Sequence, residues 1–82
     1  MFYLYVLQSK NGRHYIGITA DLEKRLIKHN NGGVRSTKSY RPWQVIYREG
    51  FIDKISARKR EIFLKRTAKA REDLFRDSGA IV

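Results

Sequence analysis

A glutamate set in a row of small and apolar residues is the first candidate for chemistry in this chain. Ala57, Glu61, Leu64 and Ala68 recur at the spacing of one helix face. A carboxylate facing a core is costly unless cations or hydrogen-bond donors compensate it. Arg58 and Lys65 lie within a helical turn of it and would make an ordinary ion pair. A hard metal ion would also compensate the charge and would give the position a purpose. Ile55, Ile62 and Phe63 mark a second apolar sector, so this face has a rival for burial.

Arg25 and His29 are four residues apart and share a helix face. A guanidinium beside an imidazole would hold a phosphate and move a proton at it. Taken alone, the spacing favours a solvated face, and Asn30 and Asn31 read as helix-ending residues only. The tyrosines depend on a turn. If the first hairpin loop is Lys10-Asn11-Gly12, then Ser9 faces Arg13, Leu7 faces Tyr15 and Tyr5 faces Gly17. Tyr3, Tyr5, Tyr15 and Gly17 then share one sheet face, with two phenols converging beside a residue that has no side chain. A two-residue Asn11-Gly12 loop would slip the register by one and part them. The longer loop is preferred because it puts a glycine where the turn needs a left-handed residue. By spacing alone, these are ordinary aromatic strand residues.

Two basic regions accompany these candidates. Arg35, Lys38 and Arg41 sit among Ser36, Thr37, Ser39 and Tyr40, a mixture suited to phosphate contact and base stacking. Arg58, Lys65 and their cationic neighbours add a broad charged surface in the second long helix. Over 82 residues, 18 Lys and Arg face only 8 acids, a net charge of +10. Such an excess attracts polyanions. A membrane partner is not expected, because no apolar run approaches the ~20 residues needed to span a bilayer, and the cations are not gathered in one amphipathic helix. The start, Met1 to Leu7, lacks a basic leader and a small-residue cleavage site, so no signal peptide is expected. Nucleic acid is the preferred partner. The absence of cysteine excludes disulfides, thiolate zinc sites and a cysteine nucleophile, and it suits a reducing cytoplasm. No P-loop, dinucleotide glycine signature, paired-histidine metal motif or Ser-His-Asp pattern is present.

The elements that must position these residues follow from pattern. The length fits one domain, 1–82, with a frayed tail over 76–82. Phe2 to Gln8 is apolar on both faces, as in a strand covered on both sides. His14 to Ile18 is the second strand. Thr19 can cap a helix carrying Asp21 and Glu23 in its first turn, with Leu22, Leu26 and Ile27 as its apolar stripe and Gly32-Gly33 at its end. A basic loop over Val34 to Arg41 leads through Pro42 and Trp43 to a third strand, Gln44 to Arg48. Asp53 opens a second helix running to about Ala68, and a shorter helix covers Ala70 to Arg76. The fold class is α+β: a small three-stranded antiparallel sheet flanked by helices, in the order β-β-α-β-α-α.

Tyr15-Ile16-Gly17 on the second strand, Arg25 and His29 on the next helix, and Glu61 on the one after form an ordered set. That set resembles the GIY-YIG nuclease superfamily, which includes the N-terminal domain of a bacterial excinuclease and several homing and restriction endonucleases. The likeness is greatest to short stand-alone bacterial members and runs from Phe2 to about Leu74. It includes Tyr3-Leu4-Tyr5 before Tyr-Ile-Gly, Arg35-Ser36-Thr37-Lys38 and Arg41-Pro42 before the third strand, and Arg60-Glu61-Ile62-Phe63-Leu64-Lys65 in the second long helix. The resemblance implies roles. Tyr5 is a candidate general base or water-positioning group, Tyr15 the second tyrosine and Gly17 the point of close approach. Arg25 would hold the scissile phosphate, His29 would assist proton transfer, and Glu61 would bind one divalent metal, magnesium or else manganese. It implies phosphodiester hydrolysis in DNA, rather than RNA, in repair or processing. The rival expectation is a binding module that keeps the fold without catalysis. One departure stands out: the first tripeptide is Tyr3-Leu4-Tyr5, with a bulky residue where the family carries glycine.

Overall fold

A computed structural model of the chain describes residues 1–79. The order is β1 (Phe2–Ser9), β2 (His14–Thr19), α1 (Leu22–Asn30), a short 3-10 turn (Lys38–Tyr40), β3 (Trp43–Phe51), α2 (Lys54–Arg66) and α3 (Ala68–Gly79). The fold is α+β, a three-stranded antiparallel sheet with three helices, as the pattern indicates. Residues 80–82 of the expected frayed tail lie outside the described residues.

The most apolar strand takes the centre of the sheet, in the order β2-β1-β3. Leu4, Val6 and Ile16 pack with Leu64 of α2 on one face; Tyr5, Leu7 and Trp43 pack under α1 on the other. Each fully buried Leu or Val contributes on the order of 1.5–3 kcal/mol, so β1 carries much of a thin core. The hairpin loop is Lys10-Asn11-Gly12. Gly12 has φ +84°, its N–H donates to the Ser9 carbonyl at 3.0 Å, and the Ser9 N–H donates to the Arg13 carbonyl at 2.9 Å. Tyr5 therefore pairs with Gly17 and Leu7 with Tyr15.

Several boundaries differ from the sequence reading. The α1 cap is Asp21, whose carboxylate accepts from the Lys24 N–H at 3.1 Å; Thr19 instead accepts from the Asp21 N–H. A carboxylate two residues closer to the helix reaches the orphan donor that Thr19 cannot. At the other end Gly32, φ +80°, closes the helix: its N–H donates to the His29 carbonyl, and that of Gly33 donates to the Lys28 carbonyl. The third strand is longer than Gln44 to Arg48 because it pairs along all of β1, with a bulge between Val6 and Leu7. Helix α2 ends at Arg66, short of Ala68, and the third helix is longer at both ends than Ala70 to Arg76. Arg71 causes the break: its guanidinium donates back to the Leu64 and Lys65 carbonyls at 3.1 and 2.8 Å, closing α2 where α3 turns away. Ala68 thereby leaves the buried row of Ala57, Glu61 and Leu64. Among the described residues, no helix is long and apolar enough to cross a membrane.

Candidate active site

Tyr5 lies mid-way along the central strand, on the face that α1 covers, and is 1% exposed. Its ring can lie flat over β2 only because position 17 has no side chain. A Cβ there would come within 2.5 Å of Tyr5 Oη and 2.7 Å of Cζ. Tyr15 stands beside it on the same face, with the two ring centroids 6.2 Å apart. The convergence of the two phenols at Gly17 follows directly from the hairpin register.

Helix α1 delivers His29 to the same spot. The imidazole is fully buried, which corrects the solvated-face reading of its helix spacing. Burial is tolerated because both ring nitrogens have partners. Nε2 lies 3.0 Å from Tyr5 Oη, and Nδ1 lies 2.8 Å from Thr37 Oγ1, which itself donates to the Val34 carbonyl at 3.2 Å. Tyr15 presents to the same ring edge-on, with centroids 4.9 Å apart. Arg25, one turn earlier and half-buried, projects its charge onto both Tyr5 and His29.

Burial pushes the Tyr5 phenol well above the usual tyrosine range; the Tyr15 phenol and the Glu61 carboxylate push the same way, against a lowering by Arg25. Burial also lowers the His29 imidazole below its usual 6.5, with Arg25 and Lys28 acting in the same direction. Burial thus disfavours the charged form of both groups, phenolate and imidazolium.

Glu61 projects from α2 and is only 6% exposed. Its two oxygens meet Lys65 Nζ at 3.0 Å and Arg58 Nη1 at 3.3 Å. These side chains, expected at a nucleic-acid surface, are the partners of Glu61 here, and both are more than half exposed. Lys65, the nearer partner of Glu61, lines one groove with Tyr15, which links the α2 carboxylate to that phenol. Beside Tyr15, a groove of about 310 Å³ is lined by His14, Ile16, Lys65, Arg71 and Phe75.

Arg35, Lys38 and Arg41 are exposed on the loop between α1 and β3. Arg41 Nε donates to the Lys38 carbonyl at 2.9 Å, holding the 3-10 turn. Three residues fasten this loop, and sequence reasoning gave none of them that role. The Asn30 amide accepts from the Trp43 N–H at 2.7 Å and donates to the Trp43 carbonyl at 3.0 Å. The Trp43 indole N–H donates to the Thr37 carbonyl at 2.9 Å. Thr37, buried at 1% exposure, bonds His29. Asn30 is therefore a clamp as well as a helix-ending residue. Nothing local in the sequence marks it, since its partner is 13 positions away.

A family model described as GIY-YIG catalytic domain matches residues 1–73. A UPF0213 protein of Staphylococcus saprophyticus is 48% identical over 64 residues, covering 77% of this chain and 78% of that protein. A UPF0213 protein of Streptococcus pneumoniae serotype 4 is 39% identical over 74 residues, covering 89% of this chain and 75% of that one. The solution NMR structure of the UPF0213 protein BH0048 from Bacillus halodurans is similar at a TM-score of 0.56 and 31% identity, covering 90% of this chain and 82% of that chain.

Proposed function

Because the chain belongs to the GIY-YIG catalytic domain family and, within it, to the small bacterial UPF0213 proteins, we propose that it is a metal-dependent endonuclease hydrolysing phosphodiester bonds in DNA, structure-directed or of low sequence specificity, in repair or processing. The family implies nucleic-acid binding in general; the choice of DNA over RNA rests on the resemblance alone. The net charge of +10 suits the polyanion. A chain without cysteine suits a cytoplasmic setting.

The carrying observation is the buried Tyr5–His29 hydrogen bond beside Gly17, with Arg25 one turn before His29 on the same helix. Water adds to phosphorus as the bond to the leaving oxygen breaks. Its proton passes to the Tyr5–His29 pair, and the leaving oxygen takes one from solvent. Arg25 holds the scissile phosphate and offsets charge as it develops. Tyr15 packs against the His29 ring and keeps the pair in place.

The donor set fits a particular kind of ion. Among the described residues no three His, Cys, Asp or Glu gather at one point, and Glu61 is a single carboxylate. That suits magnesium, which keeps several waters and is completed by substrate phosphate, or manganese; it does not suit zinc. When bound at Glu61, the ion supplies Lewis-acid stabilisation of phosphoryl charge. Lys65 and Arg58 reach Glu61 on long, largely exposed stems, so both can withdraw to neighbouring phosphates.

One observation favours a second reading, a binding module without catalysis: both Glu61 oxygens are already engaged by cations. A panel of single-stranded, duplex and branched DNA and RNA, with magnesium or manganese, separates the two. The nuclease cleaves DNA in a metal-dependent manner, and Arg25→Ala removes the cleavage. Salt-sensitive binding with no cleavage under either metal would establish the module instead.

A further inference from the structure

We propose that Thr37 is a positioning residue that sets the proton arrangement of the site, holding His29 with its proton on Nδ1 so that Nε2 accepts from the Tyr5 hydroxyl. This deepens the proposed hydrolysis and rests on it for its catalytic consequence, but the arrangement itself stands on hydrogen bonds alone.

The chain of contacts runs Tyr5 Oη, His29 Nε2, His29 Nδ1, Thr37 Oγ1, Val34 carbonyl, with separations of 3.0, 2.8 and 3.2 Å across its three bonds. Its two ends decide its direction. The Val34 carbonyl can only accept, so the Thr37 hydroxyl proton points to it and the Thr37 lone pairs face His29 Nδ1. The Tyr5 hydroxyl has no protein acceptor other than His29 Nε2 among the described residues. The opposite arrangement would put the imidazole proton on Nε2, leaving the buried Tyr5 proton without a protein acceptor and the Thr37 hydroxyl turned from the carbonyl. An unpaired buried donor is costly, so this arrangement is disfavoured. With Nδ1 protonated, every proton along the chain has an acceptor.

The direction matters for chemistry. A Tyr5 hydroxyl that donates inward to His29 keeps the lone pairs of its oxygen free to accept. It is then an acceptor for a proton from water, while its own proton already lies on a path to Nε2. Reversed, Tyr5 would accept from Nε2 and have no path along the chain for its own proton. Thr37 reaches no substrate atom and acts through His29. Its backbone is fixed independently by the Trp43 indole, which donates to its carbonyl at 2.9 Å.

The test is the imidazole tautomer, read by long-range nitrogen–proton NMR on the uniformly labelled protein. The His14 signals are identified with a His14→Gln variant. Wild type should show His29 protonated on Nδ1 and bare on Nε2. Thr37→Val, which keeps the shape and removes the hydroxyl, should lose that preference and populate the Nε2 proton. Thr37→Ser should restore the wild-type pattern. In cleavage assays Thr37→Val should lower kcat about tenfold to a hundredfold, as loss of an outer-shell partner of a functional histidine does, with KM within about twofold. Thr37→Ser should recover the rate. A wild-type spectrum with the proton on Nε2 overturns the proposal without any variant, as does a folded Thr37→Val that keeps the Nδ1 tautomer. A protein that shows the expected tautomers but cleaves nothing supports the role of Thr37 and counts against the nuclease reading, so the two fail separately.

Discussion

Gly17 lies against the ring of Tyr5 so closely that a Cβ at position 17 would sit 2.5 Å from the phenol oxygen. The ring is fully buried and cannot swing aside into solvent. Gly17→Ala should therefore destabilise the fold by about 1–3 kcal/mol, the usual cost of overpacking, and should break the Tyr5–His29 hydrogen bond. Urea unfolding checks the first effect. In a Tyr5→Ala background most of the cost should vanish, because the clashing atoms are gone. Equal costs in both backgrounds would mean that the close approach is not the cause.

Acid should weaken the protein through His29. Its imidazole titrates below the usual 6.5 when folded, chiefly through burial. The unfolded chain thus takes up a proton before the folded one does. The contribution is fully present above 6.5 and is lost as pH falls through the lowered folded value. His14, also lowered by burial, acts in the same direction, so the measurement belongs in a His14→Gln background. Asp53, whose carboxyl is held low by the Ser56 N–H, acts only below 3.8. Unfolding free energy should fall between about pH 7 and pH 5, where the unfolded state binds the extra proton. A flat profile there would show that His29 titrates normally.

The amide clamp makes a separate prediction. Asn30 satisfies both backbone groups of Trp43. Asn30→Ala leaves them unpaired and should cost about 1–3 kcal/mol, readable as a lower urea midpoint. Asn30→Asp keeps an acceptor for the N–H but sets a carboxylate against the Trp43 carbonyl, so it should not rescue.

The loop cations should show themselves in salt dependence. For Arg35→Ala or Lys38→Ala, the slope of log affinity for duplex DNA against log salt should shrink by about 0.9 for each phosphate that the variant no longer reaches. Arg41→Ala should do more, because its Nε also holds the 3-10 turn through the Lys38 carbonyl. An unchanged slope in all three would place the polyanion on another face.

How much of this was legible in the sequence follows from the range of each interaction. The Tyr5–Gly17 pairing could be read because a single turn decides it, and Gly12 supplies the left-handed residue that the three-residue loop requires. Element order and helix number follow from apolar pattern. The break at Thr67 was invisible, since no Gly or Pro marks it and Arg71 makes it by reaching back to the Leu64 and Lys65 carbonyls. His29 looked solvated because its burial depends on polar partners from β1 and the α1–β3 loop, Tyr5 and Thr37. Spacing along its own helix carries no trace of them. Asn30 failed for the same reason: the last residue of a helix and a long-range amide clamp have the same local signature. Glu61 was legible as a carboxylate in a buried row, and its choice between cation partners and a metal is not written in that row.

The nuclease reading is tested most directly by nicking of supercoiled DNA in magnesium, with wild type beside Glu61→Gln. Arg58 and Lys65 are largely exposed and can return to water, so the substitution should cost no more than about 1 kcal/mol of stability. Wild type should nick the DNA; Glu61→Gln should bind it with similar affinity and nick it about a hundredfold to a thousandfold more slowly, the usual loss when one transition-state charge partner is removed. Equal nicking by both proteins, or none by wild type at any magnesium concentration, would contradict a catalytic centre at Glu61.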